Sequence, residues 1–225
     1  GAIWLRAYPY NLLRIMPAKG DEMTILDPIG ASLSLLSTFC FVNAKRAAWI
    51  VGMLAILVNT TLYFFKGLYG QVALEGVYMV SMVYGLVLWT SSQNENKPTL
   101  MISRLTPTHG FGLTVLNIIG VTAAWWLLSR FFNSTVPMLD ALILCLSLTA
   151  QWLLCRKVFE CWIVWFIVDA IVVWVHAQKG IPFHSGVHFI YLFLAVAGHF
   201  RWKKLMEAES SATIVSSDEG FAHSV

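Results

Sequence analysis

Seven apolar runs, each about as long as a lipid bilayer is thick, dominate this sequence. A helix needs roughly 20 mostly apolar residues to cross the hydrocarbon core. In lipid every backbone polar group must find a partner inside the protein, so the runs are predicted to be helices. The sequence therefore predicts an all-α membrane protein with seven transmembrane helices. The runs are Ile25–Val42, Ala47–Phe65, Val72–Trp89, Gly110–Ser129, Leu139–Cys155, Val158–Val175 and Ile181–Phe200.

The composition agrees with a membrane protein and disfavours several other classes. Of the 225 residues, 58% are hydrophobic and 12% are charged, whereas an average soluble domain has about 25% charged residues. The formal net charge of +3 is small, and the basic residues are spread between the runs, which argues against a nucleic-acid partner.

The sequence has no clear signature of a metal site or of an enzyme. The four cysteines show no Cys-x-x-Cys spacing, and no hydrolase or metalloprotease motif occurs. His184 and His188 stand four residues apart at the outer end of the seventh run, but no cysteine partners them. We therefore expect no metal, no cofactor and no catalytic residue.

The polar segments outside the runs predict the boundaries and the orientation. Residues 1–22 are interpreted as an N-terminal extension, with Met23 as the suspected natural start. Residues 205–225 are Ser-rich and polar, and are predicted to be a disordered tail. The positive-inside rule places the more basic side, together with the C-terminus, in the cytoplasm. That side carries Lys45, Arg46, Lys97, Arg104, Arg156, Lys157, Arg201, Lys203 and Lys204.

An internal repeat relates the first three runs to the last three. Trp and Tyr matches in one register, without a gap from Leu26 to Trp89, are improbable by chance even in an apolar sequence. Trp49 and Trp162 lie 113 positions apart (162 − 49). The same offset relates Asp27 to Asp140, Ser34 to Ser147, Tyr78 to Tyr191, Gly85 to Gly198 and Trp89 to Trp202.

The repeat predicts the architecture. Because the unit contains three runs and the fourth run joins the copies, both copies are expected to have the same orientation, as in parallel-repeat transporters. The predicted arrangement is 3+1+3, with repeats at 23–91 and 136–204 and a loop and linker helix at 92–135. In such transporters the substrate site lies between the halves, near the middle of the membrane.

The sixth run carries the strongest candidates for ligand binding. Trp162, Trp165 and Asp169 are spaced i, i+3 and i+7, so they share one helix face. An ionisable residue inside a span costs roughly 2.5–3.5 kcal/mol on insertion scales and commonly faces a cavity. Two indoles and one carboxylate suit a flat cationic ring, because aromatic faces attract cations. Alternatively, Trp162 belongs to the aromatic belt at the membrane interface.

Other polar residues in the runs complete the predicted site. Gln151 offers an acceptor and two donors, which suit ribose hydroxyls or an amide, although a helix–helix hydrogen bond is an equal alternative. Asn59 lies on the equivalent stripe of the second run, where Ile56 replaces Asp169, so most of the polar site is expected from the second half. The predicted substrate-binding residues are Trp162, Trp165, Asp169, Gln151, Tyr191, Tyr78 and Asn59.

Residues at the ends of the third and seventh runs are interpreted structurally. Trp89 and Trp202 fall at the predicted cytoplasmic ends, where anchoring in the aromatic belt is expected. Gly52, Gly85 and Gly198 are expected to permit close helix packing.

Several of these motifs occur together in one known family. The most specific block is Arg156-Lys157-x-x-Glu160-x-Trp162-x-x-Trp165, and Tyr84-Gly85-x-x-x-Trp89 and Gly198-x-x-x-Trp202 support it. From Asp27 to Trp202 the chain resembles the PnuC family of bacterial vitamin-precursor transporters. The resemblance implies a SWEET-like fold, import of nicotinamide riboside by facilitated diffusion with alternating access, trapping by cytoplasmic phosphorylation, a homotrimer and a place in the inner membrane. Carried over by motif, Trp162 and Trp165 would flank the pyridinium ring and Gln151 would hydrogen-bond the substrate.

Alternatives to this function remain open on the sequence. The resemblance implies an amide side chain where this chain has Asp169, so thiamine, a cation carried by sister members, is the alternative substrate. We expect no second buried acid and therefore no coupled ion. A membrane enzyme using Asp169 with His176 is less favoured, because it lacks a nucleophile and leaves the repeat unexplained.

Overall fold

The computed structural model describes residues 20–65, 69–91, 100–131, 136–178 and 182–222. These residues form seven helices, one for each predicted run. They are α1 (Gly20–Val42), α2 (Ala47–Phe65), α3 (Tyr69–Ser91), α4 (Pro107–Phe131), α5 (Pro137–Cys155), α6 (Cys161–Gln178) and α7 (Pro182–Ala222).

The start of α6 differs from the predicted run. Val158 was expected in the helix, but α6 begins at Cys161. The three residues before it form a turn, in which the Phe159 N–H donates to the Ser103 carbonyl at 2.9 Å and the Val158 N–H donates to the Leu153 carbonyl at 2.9 Å. These bonds to earlier segments replace the first turn of a helix.

Six of the helices formed by the described residues, α1 to α6, are long and apolar enough to cross a membrane. The described part of α7 falls outside that set. The all-α membrane class is therefore confirmed, and a seventh span at α7 stays a prediction.

Helix α7 is longer than the sequence predicted. It continues to Ala222 and so includes most of the segment predicted to be a disordered tail. Residues 203–209 are all strong helix formers, and extending an existing helix requires no new nucleation. The Glu209 carboxylate also accepts a hydrogen bond from the Ile102 N–H at 3.0 Å, which ties this extension to the segment before α4.

The packing of the helices follows the order of the two predicted repeats. Helices α1, α2 and α3 pack in sequence, and α5, α6 and α7 do the same. The two groups meet where α1 packs against α7 and where α3 packs against α5. Helix α4 packs against α5 and against none of the other helices in the described part of the chain.

Helix ends and turns also keep the offset of the sequence repeat. Helices α1 and α5 end at Val42 and Cys155, which are 113 positions apart, and each is followed by a turn that leads into α2 or α6. These turns each contain one non-glycine residue with a left-handed backbone, Ala44 with φ 50° and Lys157 with φ 52°. These two residues are also related by the offset, so equivalent positions adopt the same uncommon conformation.

A layer of buried aromatic rings forms the core at one end of the bundle. We call this the basic end, because Arg46, Arg156 and Lys157 lie in the turns beside it. The aromatic layer consists of Phe41, Trp49, Trp89, Trp162 and Trp202, all less than 5% exposed. The rings of Trp49 and Trp89 meet edge to face at 5.3 Å, and those of the equivalent pair, Trp162 and Trp202, meet at 5.5 Å.

Hydrogen bonds through the aromatic layer join the two groups of helices. The Trp89 indole donates to the Cys155 carbonyl at 3.0 Å, and the Trp202 indole donates to the Phe41 carbonyl at 2.9 Å. The interpretation of Trp89 and Trp202 as membrane-belt anchors is therefore wrong. Both indoles lie in the protein core because a carbonyl at the end of a neighbouring helix accepts their N–H.

The segment 100–106 covers this layer. The Lys157 ammonium donates to the Leu100 carbonyl at 2.8 Å and lies 4.8 Å from the centre of the Trp89 ring. The Glu160 carboxylate accepts from the Leu105 N–H at 2.8 Å. Burial lowers the pKa of Lys157 from its usual value, and the nearby Glu209 acts in the opposite direction.

Two glycines let the tryptophans of the layer approach a neighbouring helix, as the sequence predicted. A Cβ atom at Gly85 would collide with the Trp49 ring, and one at Gly198 would collide with the Trp162 ring. The absence of a side chain at these positions therefore determines how closely α3 approaches α2 and α7 approaches α6.

We expect Gly198→Ala to lower the free energy of unfolding by about 1–3 kcal/mol, because the new methyl group overpacks the Trp162 indole. Thermal unfolding of the purified protein in detergent measures this effect. Gly186→Ala is the matched control, since a Cβ there meets no atom within 4 Å. Equal melting temperatures for the two variants would contradict the proposed packing.

Candidate functional site

A cavity of about 310 Å³ lies between the two groups of helices. All seven residues predicted to bind substrate line it, although their contact with a substrate stays a prediction. Helix α4 contributes none of the residues that line it. The lining residues are Ser34, Ser37, Thr38, Phe41, Gly52, Ala55, Ile56, Asn59, Glu75, Tyr78, Met82, Gln151, Leu154, Trp162, Trp165, Asp169, His188, Tyr191 and Ala195.

The predicted face of α6 points into this cavity, but its two tryptophans differ in environment. Trp162 is 2% exposed and belongs to the aromatic layer, so the belt interpretation is wrong for it. Its indole N–H is buried and has no hydrogen-bond partner among the described residues, as is true of the equivalent Trp49. Trp165 lies one turn further along and is only partly buried. Trp165 therefore offers a ligand more of its ring than Trp162 does.

Asp169 is paired with a histidine of α7. Its Oδ1 lies 2.8 Å from Nδ1 of His188, with the side chains 7% and 29% exposed, respectively. Because a carboxylate only accepts, Nδ1 carries the proton in this contact whether the imidazole is neutral or charged. The predicted group of two indoles and one carboxylate is therefore incomplete, because His188 also lines the cavity.

Gln151 makes the helix–helix hydrogen bond that was one of its two predicted roles. Its amide nitrogen donates to the Ser81 hydroxyl of α3 at 3.1 Å, and that hydroxyl donates to the Tyr78 carbonyl at 2.7 Å. One donor of the amide is thus used to hold α5 against α3. The amide oxygen and the second N–H are the groups through which Gln151 would meet a ligand.

The two predicted tyrosines form equivalent bonds between the halves. Tyr78 of α3 hydrogen-bonds to Ser147 of α5, and Tyr191 of α7 hydrogen-bonds to Ser34 of α1. Both the tyrosines and the serines are related by the offset of 113. The phenol rings therefore lie in the walls of the cavity where the third helix of one half meets the first helix of the other.

The sequence interpretation missed one acid of the cavity. Glu75 of α3 lines it and hydrogen-bonds to Asn59 of α2. Asp169 is the one fully buried acid among the described residues, but the half-buried Glu75 gives the cavity a second acid that the sequence interpretation did not name. Two signals in the sequence were available, since Glu75 is spaced i, i+3 from Tyr78 and lies 113 positions before His188.

The chemistry of this cavity suits binding of a cation. It combines two carboxylates with exposed ring surface, and none of the described residues that line it is Lys or Arg. In the described part of the chain, no group of three or more His, Cys, Asp or Glu is arranged to hold a metal ion. The enzyme alternative combined Asp169 with His176. In the structure the direct partner of Asp169 is His188, and the His176 ring lies 5.6 Å from the His188 ring.

Comparisons with known proteins agree with a transporter. A sequence profile described as "Nicotinamide mononucleotide transporter" matches residues 24–204. The nicotinamide riboside transporters PnuC of Escherichia coli (strain K12) and Shigella flexneri are each 20% identical over 218 residues, covering 85% of this chain and 91% of the relative. A solved structure described as "Crystal structure of the Vitamin B3 transporter PnuC" matches with a TM-score of 0.62 and 19% identity, over 83% of this chain and 88% of that chain. At this identity the structural match shows the fold alone.

We expect His188→Leu to destabilise the protein by about 1–3 kcal/mol, because it leaves the Asp169 carboxylate without its imidazole partner. The double variant His188→Leu/Asp169→Leu should recover part of this loss, since removing both partners leaves no unpaired charge. Melting temperatures of the two single variants and the double variant complete the cycle. His109→Leu, at an exposed position of α4, is the control, and strictly additive effects would contradict the pairing.

Proposed function

The chain belongs to the nicotinamide mononucleotide transporter family, which includes its PnuC relatives, and from that premise we propose that it imports nicotinamide riboside by facilitated diffusion. The protein is a membrane transporter and, like its relatives, not an enzyme. The observation that supports the proposed substrate is the cavity between the two groups of helices. Trp165, Asp169, Gln151 and the two tyrosines all line it.

The charge of the cavity supports the riboside over its phosphorylated form. Asp169 and Glu75 both line it, and in the part of the chain that the structure describes no Lys or Arg lines it. A phosphate would meet two carboxylates at low dielectric with no basic partner, which is strongly unfavourable. A nucleoside cation lacks that penalty. The cavity volume of about 310 Å³ also suits a small ligand, because it lies at the lower end of the usual range for small-molecule pockets.

The pyridinium ring is proposed to lie against Trp165. The indole face attracts the positive ring, and Asp169, one helical turn further, supplies the countercharge. Trp162, which closes this end of the cavity, is proposed to contact the other face of the pyridinium ring. Gln151 is proposed to bind the carboxamide or the ribose through the amide groups that its bond to Ser81 leaves available.

Transport is proposed to proceed by alternating access between two three-helix repeats. The matching helix ends, the paired turns and the two equivalent tyrosine–serine bonds support a 3+1+3 arrangement with α4 as the linker. In this state the aromatic layer separates the cavity from the basic end. Rocking of the halves would break the Trp89 and Trp202 bonds between them and open the cavity at that end.

The basic end is proposed to face the cytoplasm of a bacterial cell. The positive-inside rule places the side with the excess of Lys and Arg there, and the C-terminal part of α7 extends from the same end. The protein is proposed to lie in the inner membrane. A homotrimer is also proposed, and the exposed apolar side chains of α4, including Phe111, Leu116 and Trp126, provide a face for such contacts.

We expect the purified protein to bind nicotinamide riboside in a calorimetric titration and Trp165→Ala to weaken that binding. A desolvated cation–π contact contributes about 2 kcal/mol, which corresponds to roughly thirtyfold in Kd. Trp174→Ala is the matched control, because this indole is exposed on α6 and does not line the cavity.

The same titration against thiamine tests the alternative substrate. Tighter binding of thiamine than of nicotinamide riboside would establish the alternative and overturn the proposed substrate. Unchanged riboside affinity in Trp165→Ala would instead remove this tryptophan from the site.

We expect proteoliposomes to take up nicotinamide riboside without moving protons, so that an imposed pH gradient does not drive accumulation. Glu75 and His188 make this test necessary, because acids and histidines in membrane cavities also form proton relays. A pH-sensitive dye inside the vesicles measures proton movement, and protein-free vesicles give the background. Riboside-dependent acidification would contradict facilitated diffusion and favour a proton-coupled carrier.

A further inference from the structure

Glu75 occupies a position in the cavity that the proposed binding of the ring does not use. It is the seventh residue of α3, one turn before Tyr78, and it is half-buried in the cavity wall. A carboxylate at membrane depth is costly, and such residues commonly serve a substrate pathway. Because Glu75 lies inside a span, its carboxylate needs a group that hydrogen-bonds to it or compensates its charge.

The partner that the structure provides is an amide. Asn59 of α2 hydrogen-bonds to Glu75, and Gly30 of α1 leaves the room that the Asn59 side chain occupies. A carboxylate offers about four lone-pair sites, and an amide can fill only part of them. Asn59 thus orients the carboxylate while leaving acceptor capacity for a ligand.

The internal repeat makes the two polar ends of the cavity different. Glu75 and His188 are equivalent under the offset of 113, and so are Ile56 and Asp169. In the second half an acid is paired with an imidazole at 2.8 Å. In the first half the acid is paired with a neutral amide, so its charge and its acceptor sites are less compensated.

The two ends also lie on helices that do not touch. Among the described residues α3 does not pack against α6, and the cavity lies between them. Tyr78 is within electrostatic range of both Glu75 and Asp169. A ligand whose ring lies at Trp165 and Asp169 therefore extends toward Glu75 with its other end.

We infer that Glu75, oriented by Asn59, determines specificity by accepting hydrogen bonds from the ribose 2′- and 3′-hydroxyls of the substrate. The inference rests on the proposed function, because it requires a riboside in the cavity. A carboxylate that binds ribose hydroxyls is a recurrent arrangement in nucleotide-binding proteins. In a site built for hydroxyl donors, a ligand without them leaves the acceptor unpaired, which makes such sites selective.

The test compares nicotinamide riboside with its 2′,3′-dideoxy analogue, which keeps the cationic ring and loses both hydroxyls. Calorimetry on the purified full-length protein should show about tenfold to a hundredfold weaker binding of the analogue. In Glu75→Gln the riboside should bind more weakly, and the preference over the analogue should fall to less than about threefold.

Two further variants separate hydrogen bonding from charge and from misfolding. Glu75→Asp keeps the charge but withdraws the carboxylate, so it should also lose riboside affinity, whereas a purely electrostatic role predicts affinity like that of the unaltered protein. Glu207→Gln removes an exposed acid of α7 outside the cavity and should leave both affinities unchanged. Melting temperatures identify any variant that fails to fold.

Each outcome decides between the inference and the proposed function. Equal binding of the riboside and the analogue by the unaltered protein would overturn the role of Glu75 and leave the proposed function intact. A full preference retained in both Glu75 variants would do the same. Failure of the unaltered protein to bind the riboside at all would overturn the proposed function and, with it, the inference.

Discussion

The contact between an indole ring and a glycine of the next helix is the constraint on which much of this structure depends. It occurs twice, with Trp49 on Gly85 and Trp162 on Gly198. Without a driving force for burying apolar groups from lipid, helix association in membranes relies on close packing and on hydrogen bonds. The glycines permit the first, and the indoles of Trp89 and Trp202 supply the second by bonding to carbonyls of the other half.

The same layer determines where a cavity can exist. Because the aromatic rings fill the bundle at the basic end, the space between the halves lies on the other side of Trp162. Within the described ranges the buried N–H groups of Trp49 and Trp162 have no hydrogen-bond partner, and an unpaired buried donor costs about 1–3 kcal/mol. That cost makes the aromatic layer less stable than its packing alone implies.

The two sides of the cavity have equivalent hydrogen bonds in their walls but different charged residues. The tyrosine–serine bonds are equivalent in the two halves and hold the walls together. The charged positions are not equivalent, since Ile56 replaces Asp169 and Glu75 replaces His188. The cavity therefore has an acid–imidazole pair on one side and an acid–amide pair on the other.

The seven helices, the shared face of Trp162, Trp165 and Asp169, and the internal repeat followed from the sequence alone, because hydropathy and residue spacing are local properties of the chain. Tertiary structure decided the rest. His188 lies 19 positions from Asp169 on another helix, and neither its pairing nor the bond between Glu75 and Asn59 can be obtained from spacing along one helix. The burial of Trp162 likewise depends on how closely α7 approaches α6, a distance determined by a glycine on the facing helix.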